Sequence, residues 1–105
     1  IDIFAPAIGT AHGIYHGAPV IRYDLVEQLR GATDVPIVVH GGSGLSEEVF
    51  RKLIECGASK INISTAVKQS YLKGMINNPL EVDTAIKQEV KQAVQEHINI
   101  FSMGR

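Results

Sequence analysis

The sequence predicts an α/β protein whose strands are parallel and are joined by helices. Three apolar runs, at 3–8, 36–40 and 60–63, alternate with stretches in which apolar residues recur at helical spacing. This alternation is typical of βα units, because a parallel strand needs a helical crossover to bring the chain back to the same edge of the sheet. About three strands with flanking helices leave two open edges. We therefore interpret residues 1–105 as a single partial domain, the C-terminal part of a TIM (β/α)8 barrel.

The first predicted helix occupies 23–29 and follows a loop over 9–22. Gly31 and the Thr33-Asp34 pair come directly after it and are expected to end it. Its apolar face is formed by Leu25, Val26 and Leu29.

The second strand and helix are predicted with clear boundary signals. The run at 36–40 is continuous and β-branched, as buried parallel strands are. Ser46 is a suitable N-cap for the next helix, and the carboxylates of Glu47 and Glu48 favour the positive end of its dipole. Gly57 is expected to end this helix. The residues expected to face the sheet are Val49, Phe50, Leu53 and Ile54.

The rest of the chain is predicted to be mainly helical. A third strand at 60–63 leads into a helix that starts at Thr65 and ends near Ile76. The Asn-Asn-Pro break at 77–79 separates it from a long final helix that ends near Gly104. The apolar stripe of that helix is formed by Val82, Ile86, Val90, Ala93, Val94, His97, Ile98 and Phe101.

Composition and charge limit the classes of function. With 45% hydrophobic and 20% charged residues, the chain has the composition of a globular domain with a buried core. A net charge of -1 gives no electrostatic case for nucleic acid or for an anionic membrane surface. The single cysteine, Cys56, excludes an internal disulfide and favours a reducing, cytoplasmic compartment. The start inside an apolar run, without an initiator Met, suggests a piece of a longer protein.

Two histidines close apolar runs, and each leads directly into glycine. They are His12 in IDIFAPAIGTAHG and His40 in VPIVVHGGSG. Strand ends of a barrel meet at one face, so we expect the two imidazoles to converge on one metal ion. Neutral imidazole suits Zn²⁺, but a catalytic zinc usually takes three protein ligands, and two histidines fall one short. The alternative is that each histidine is a packed, hydrogen-bonded residue at the end of its strand.

The run Gly41-Gly42-Ser43-Gly44 has two interpretations. It is either a flexible turn that precedes a helix N-cap, or a phosphate cradle whose N–H groups and Ser43 hydroxyl face an anion. Phosphate sites of barrels are commonly formed by the loops after the last two strands. The segment 62–65, which follows the third predicted strand, would then supply the other half of the cradle.

The remaining candidates have structural interpretations. We expect His16 to be solvated and His97 to be packed and hydrogen-bonded within the last helix. Cys56 has apolar neighbours and no evident activating base, so it is interpreted as a core residue. Tyr15 is expected to cover the barrel mouth rather than to pack over the site.

Taken together, GTAHGIY, VPIVVHGGSG and KINIST resemble three consecutive signatures of the zinc-dependent class II ketose-bisphosphate aldolases. The C-terminal HINIFSMGR is similar to the tagatose-type branch. The resemblance covers the whole chain but only about the last third of a family member. It implies a homo-oligomeric (dimeric or tetrameric) enzyme of carbohydrate metabolism and glycolysis. Its reaction would be the reversible cleavage of fructose- or tagatose-1,6-bisphosphate to dihydroxyacetone phosphate and glyceraldehyde 3-phosphate.

The resemblance also implies roles for individual residues. His12 and His40 would be two of three zinc ligands, with zinc acting as a Lewis acid on the ketone oxygen. The third ligand and the acid/base carboxylates are expected upstream, so this segment alone is expected to be inactive. Asn62 would position the dihydroxyacetone-phosphate moiety. The phosphate would be held by Gly13, Gly41, Ser43, Ser64 and Thr65. Backbone carbonyls of Gly13, Gly41 and Ser43 would help to coordinate a monovalent cation (Na⁺ or K⁺).

Two departures from the family pattern bear on the sugar. His16 stands where many members carry Lys, and Ser64 stands where fructose-type members carry Asp. The sugar is therefore left open. Two other classes also stay open: a non-catalytic phosphate-sugar-binding module, and another phosphate-binding barrel enzyme such as an isomerase or a flavin oxidoreductase. The latter would have no use for paired histidines at strand ends.

Overall fold

The computed structural model describes residues 1–102, which form helices and a two-stranded parallel sheet. The elements are α1 (Tyr23–Ala32), β1 (Ile37–Val39), α2 (Glu47–Glu55), β2 (Ala58–Ile61), α3 (Thr65–Asn77) and α4 (Val82–Phe101). The chain divides into two compact units, Ile1–Ile63 and the residues from Ser64 onward. Within the described part, no helix is long and apolar enough to span a membrane.

The sheet of the first unit confirms the predicted parallel α/β arrangement, but β1 is shorter than predicted and β2 lies two residues before the strand predicted at 60–63. Ile37 lies opposite Ala58 and Val38 opposite Lys60, so β2 carries one extra residue, a β-bulge. All of β1 is buried. The backbone pairing continues one residue past β2, because the N–H of Asn62 donates to the carbonyl of Val39 at 2.8 Å.

The prediction of a buried strand at 3–8 is wrong. Only Phe4 pairs with β1: its N–H donates to Pro36 O at 3.0 Å, and its carbonyl accepts from Val38 N–H at 2.8 Å. The next N–H in this parallel ladder would come from Pro6, which has none, so the pairing stops after a single bridge. Ile3 at the start of the run is also 54% exposed, so this part of the run is not buried.

The first two helices differ from the prediction at one boundary. Gly31 lies inside α1, which ends at Ala32, and Thr33 is the C-cap with its N–H still bonded to Leu29 O. The φ of Gly31 is not positive, so this glycine continues the helix instead of adopting the left-handed conformation that commonly ends one. At α2 the prediction holds: the Ser46 hydroxyl accepts from Val49 N–H at 3.3 Å, and Gly57 follows the helix with a φ of +112°.

The core of the first unit lies between the sheet and these two helices. Cys56, at the end of α2, is part of it, and its thiol donates to a carboxylate oxygen of Glu27 on α1 at 3.4 Å. Tyr23 of α1 also lies under the Lys52 ammonium of α2, 4.3 Å from the ring centroid. The buried apolar residues are Ile8, Val26, Ile37, Val38, Val39, Leu45, Phe50, Leu53, Cys56 and Ala58.

The second unit contains α3 and α4, which pack against each other around Gly74. A Cβ at this position would lie 2.6 Å from Ile86 Cα, so a side chain there would force the two backbones apart. Lys73 of α3 also pairs with Glu89 of α4 at 2.8 Å. The final helix is described to Phe101, and its predicted end near Gly104 lies outside the described residues.

His97 has the packed environment that the sequence predicts. Its Nδ1 lies 2.7 Å from the carbonyl of Ala93, and its ring meets the edge of Phe101 at a centroid distance of 6.0 Å. It is therefore engaged within its own helix.

Candidate metal and phosphate site

The structure brings the rings of His12 and His40 side by side. His40 directly follows β1, and His12 lies in the loop that leaves the sheet after Pro6. The ring centroids are 5.5 Å apart, with an angle of 51° between the ring planes. Both residues are exposed.

This spacing fits a shared metal ion. Imidazole nitrogens about 2.0–2.1 Å from a tetrahedral zinc place two ring centroids roughly 5 Å apart. The observed 5.5 Å is close to that value. Among residues 1–102, no group of three or more His, Cys, Asp or Glu side chains could hold a metal ion. His12 and His40 are therefore two candidate ligands, one fewer than a catalytic zinc site usually has.

Asn62 contacts the ring of His40. Its amide nitrogen Nδ2 lies 3.0 Å from His40 Nδ1, so the amide can donate to that nitrogen in the tautomer whose Nδ1 carries the lone pair. A metal needs a nitrogen lone pair. Ligation at Nδ1 would therefore displace this hydrogen bond, whereas ligation at Nε2 would require the amide oxygen of Asn62 to face an Nδ1–H. In both cases Asn62 controls which ring nitrogen is available.

Backbone hydrogen bonds hold Asn62 in this place. Its N–H donates to Val39 O at 2.8 Å, and its carbonyl accepts from Gly42 N–H at 3.1 Å. The backbone of Asn62 is thus hydrogen-bonded to Val39, just before His40, and to Gly42, two residues after it. The contact with His40 was not predicted, because the sequence assigns Asn62 to the substrate alone.

A second contact that the sequence analysis missed involves Tyr15. Its hydroxyl accepts from the N–H of Ala11 at 2.9 Å and donates to the carbonyl of Gly41 at 2.7 Å. The phenol therefore joins the His12 loop to the turn after His40. No sequence signal marks this contact, since Gly41 lies 26 residues away and carries no side chain.

Position 41 requires glycine because the backbone of Ala11 in the His12 loop lies directly against it. Its φ is +69°, a conformation that L side chains rarely adopt, and a Cβ here would overlap the carbonyl of Ala11. The turn continues through a hydrogen bond from Leu45 N–H to Gly42 O at 3.2 Å, and Ser43 is buried within it. The glycine-rich run is thus an ordered turn in backbone contact with the His12 loop, in which Gly13 is half-buried.

The two helix N-termini that follow the strands differ in charge. At α2 the Ser46 hydroxyl already caps the helix, and Glu47 and Glu48 occupy the first turn, where carboxylates would repel an added anion. The first turn of α3 carries no acidic residue. Ser64 is the N-cap position of α3 and Thr65 its first residue; both belong to the second unit, which is described separately. The charge pattern favours α3 over α2 as an anion-binding helix end.

The other sequence candidates stay outside the site. His16 is exposed, as expected. The pKa of the Cys56 thiol is raised, first by burial and then by its hydrogen bond to Glu27, so the residue stays a protonated thiol. A raised pKa is the opposite of what a nucleophilic cysteine needs, which agrees with the interpretation of Cys56 as a core residue.

These observations define a class of protein: a parallel α/β segment that carries paired imidazoles and an ordered glycine-rich turn at the end of a strand. The family model described as fructose-bisphosphate aldolase class-II matches residues 1–104 of the chain. The chain therefore belongs to the class II fructose-bisphosphate aldolase family, which confirms the resemblance drawn from the motifs.

Individual relatives agree with this membership. The uncharacterized protein YdjI of Escherichia coli (strain K12) is 36% identical over 95 residues, which cover 90% of this chain and 34% of YdjI. The X-ray structure of the YdjI aldolase superposes with a TM-score of 0.89 at 32% identity, covering 96% of this chain and 40% of that one. A "putative fructose-1,6-biphosphate aldolase" from Coccidioides immitis gives 0.88 at 28% identity, covering 96% and 38%. The chain thus spans about a third of the length of the relative YdjI.

Proposed function

We propose that this chain forms part of the active site of a zinc-dependent class II aldolase. The reaction is the reversible cleavage of a ketose bisphosphate, fructose- or tagatose-1,6-bisphosphate, to dihydroxyacetone phosphate and glyceraldehyde 3-phosphate. The observation that carries the proposal is the pair of imidazole rings 5.5 Å apart, next to the turn that begins at Gly41. Membership of the aldolase family supports the class of reaction. A cytoplasmic dimer or tetramer belongs to the same proposal.

His12 and His40 are proposed to supply two of the zinc ligands. A zinc ion bound there would supply Lewis acidity toward the ketone oxygen of the sugar. Asn62 orients the His40 ring and sets its tautomer, a role that groups behind metal ligands commonly have. The third ligand and the carboxylates that move protons are proposed to come from other parts of the whole protein.

The phosphate is proposed to bind where backbone N–H groups and hydroxyls are concentrated. The N-terminus of α3 supports this assignment, because the helix dipole places partial positive charge there and the first turn carries no acidic residue to oppose an anion. Asn62 would also position the dihydroxyacetone-phosphate moiety. The carbonyl of Gly41 keeps a second lone pair for a Na⁺ or K⁺ ion while it accepts from Tyr15. The proposed phosphate ligands are Gly13, Gly41, Ser43, Ser64 and Thr65.

Metal titration of single-histidine variants tests the metal site. His12→Ala and His40→Ala should each weaken Zn²⁺ or Co²⁺ binding by at least about tenfold, since each removes one of two ligands. His16→Ala is the matched control, because His16 is an exposed histidine of the same loop and should leave the affinity unchanged. An affinity that falls equally in all three variants would contradict the assignment.

Activity assays separate the aldolase from its alternatives. The 105-residue chain alone should not cleave fructose or tagatose bisphosphate, because residues 1–102 lack a third metal ligand in reach. In the whole protein, His40→Ala should abolish cleavage. Binding of phosphosugars that is independent of zinc, measured by calorimetry, would instead indicate a non-catalytic binding module.

A further inference from the structure

We infer that Tyr15 is a positioning residue whose hydroxyl sets the distance between the rings of His12 and His40. It joins the two chain segments that carry the histidines. The inference rests on the proposed metal site for its functional meaning, although the ring separation can be measured without a metal.

The two hydrogen bonds of Tyr15 end at the immediate neighbours of the histidines. Ala11, whose N–H donates to the hydroxyl at 2.9 Å, directly precedes His12 in the chain. Gly41, whose carbonyl accepts from the hydroxyl at 2.7 Å, directly follows His40. The hydroxyl oxygen of Tyr15 is therefore hydrogen-bonded to two backbone groups, and each of these belongs to a residue next to a candidate ligand. We therefore expect the loss of either bond to move an imidazole.

The His12 loop is tied to the rest of the unit by hydrogen bonds at its base and in its middle. The N–H of Arg22 donates to Ile8 O at 2.9 Å and closes the base of the segment 9–21. Tyr15 lies in the middle of that segment and ties it to the turn after β1. His40 differs, because it directly follows Val39, a fully buried strand residue. The hydroxyl thus holds the less constrained histidine against the more constrained one.

The hydroxyl rather than the ring is the essential group. Both of its partners are backbone atoms, and a hydroxyl is the smallest side-chain group that can accept from one and donate to the other at once. The ring of Tyr15 lies beside Gly44, where a Cβ would be 3.5 Å from Tyr15 Cδ2. Phenylalanine would keep that packing and lose both hydrogen bonds, so Tyr15→Phe isolates the positioning role.

The experiment compares the wild-type protein with Tyr15→Phe and with Tyr71→Phe. Tyr71 is a matched control, because it is an exposed tyrosine of α3 in the other unit. Nuclear Overhauser effects between the imidazole protons of His12 and His40 should be visible in the wild type and in Tyr71→Phe, given the 5.5 Å centroid distance. In Tyr15→Phe they should weaken or vanish. Co²⁺ titration should show an affinity about tenfold lower in Tyr15→Phe alone, with an altered visible spectrum.

The outcomes distinguish this inference from the proposed function. In one outcome, the wild type binds no Co²⁺ while the nuclear Overhauser effect between the rings is lost only in Tyr15→Phe. In that case the proposed metal site is wrong and the positioning role stands. If the wild type binds Co²⁺ and Tyr15→Phe keeps both the affinity and the inter-ring effect, the positioning role is overturned.

A measurement on the wild type keeps the inference falsifiable should Tyr15→Phe fail to fold. The amide of Ala11 should be protected from hydrogen exchange, because it donates to the phenol oxygen. An Ala11 amide that exchanges at the rate of an unstructured peptide would overturn the inference.

Discussion

The two units of the chain differ in what their helices cover. In residues 1–63, α2 packs on the sheet and α1 packs on α2, and the core side chains are buried: Phe50 is 2% exposed. In residues 64–102, α3 and α4 contact each other and many of their apolar side chains face solvent: Leu72 is 56% exposed. Both units have amphipathic helices in sequence. Apolar periodicity therefore predicts a helix, but burial depends on a second surface that the helix can pack against.

The largest expected difference between the units is in the cost of removing a side chain. Phe50→Ala should lower the free energy of unfolding by about 3–5 kcal/mol, because it leaves a cavity in the core. Leu72→Ala should change it by about 0.5 kcal/mol or less, since the side chain is already exposed. Urea denaturation followed by circular dichroism measures both. Equal losses would show that the exposed face of α3 is covered in solution, and that the two units do not differ in burial.

Two glycines, one in a helix of each unit, are expected to respond in opposite ways to an added methyl group. Gly74→Ala should destabilise the protein by about 1–3 kcal/mol, because its Cβ would meet the backbone of Ile86. Gly31→Ala inside α1 meets nothing within 4 Å and should stabilise it by up to about 1 kcal/mol, the difference in helix propensity. Thermal denaturation should show shifts of opposite sign. A stabilised Gly74→Ala would mean that α3 and α4 do not pack closely.

A smaller effect is expected at the ion pair that joins α3 to α4. The Lys73 side chain is mostly exposed, so Lys73→Gln should cost at most about 1 kcal/mol. The loss should shrink in high salt, because exposed charges are screened. Urea denaturation at low and high ionic strength checks both statements. A salt-independent loss of several kcal/mol would indicate that this pair is buried in solution.

The smallest effect on the free energy of unfolding at neutral pH is expected at Cys56 in the first unit. The pKa of its thiol is raised above the ordinary value, first by burial and then by the hydrogen bond to Glu27. The stability that this raised pKa contributes is fully present below the pKa of the thiol in the unfolded chain, about 8.5. It is lost as the pH rises through the folded-state pKa, because the thiolate is disfavoured in the fold.

Glu27→Gln tests this contact. The substitution removes a carboxylate that disfavours the thiolate, so the pKa of Cys56 should fall toward its ordinary value while burial keeps it above that value. The pH dependence of alkylation of the native thiol measures the change. An unchanged profile would show that burial alone sets the pKa.

The helices were largely predictable because their boundaries depend on local chemistry. Ser46 caps α2 and Gly57 follows its end, as predicted from neighbouring residues alone. The strand predicted at 3–8 failed for a non-local reason. The missing N–H of Pro6 matters only once the pairing of Phe4 with β1 fixes which donor comes next.

In the site, too, features that depend on local sequence were predictable and a contact between distant residues was not. The proximity of His12 and His40 followed from their equivalent places after two apolar runs, even though only one of those runs forms a strand. The link through Tyr15 could not be predicted, because it joins a side chain to a backbone carbonyl far away in the sequence. The roles of Gly13, Ser43 and Thr65 toward phosphate stay predictions.

The backbone contact at Gly41 restricts what substitution can do there. A positive φ disfavours side chains, and a Cβ would collide with Ala11, so two independent penalties act on any replacement. In a library that places all twenty amino acids at this position, selection for a folded, metal-competent protein should return glycine codons alone.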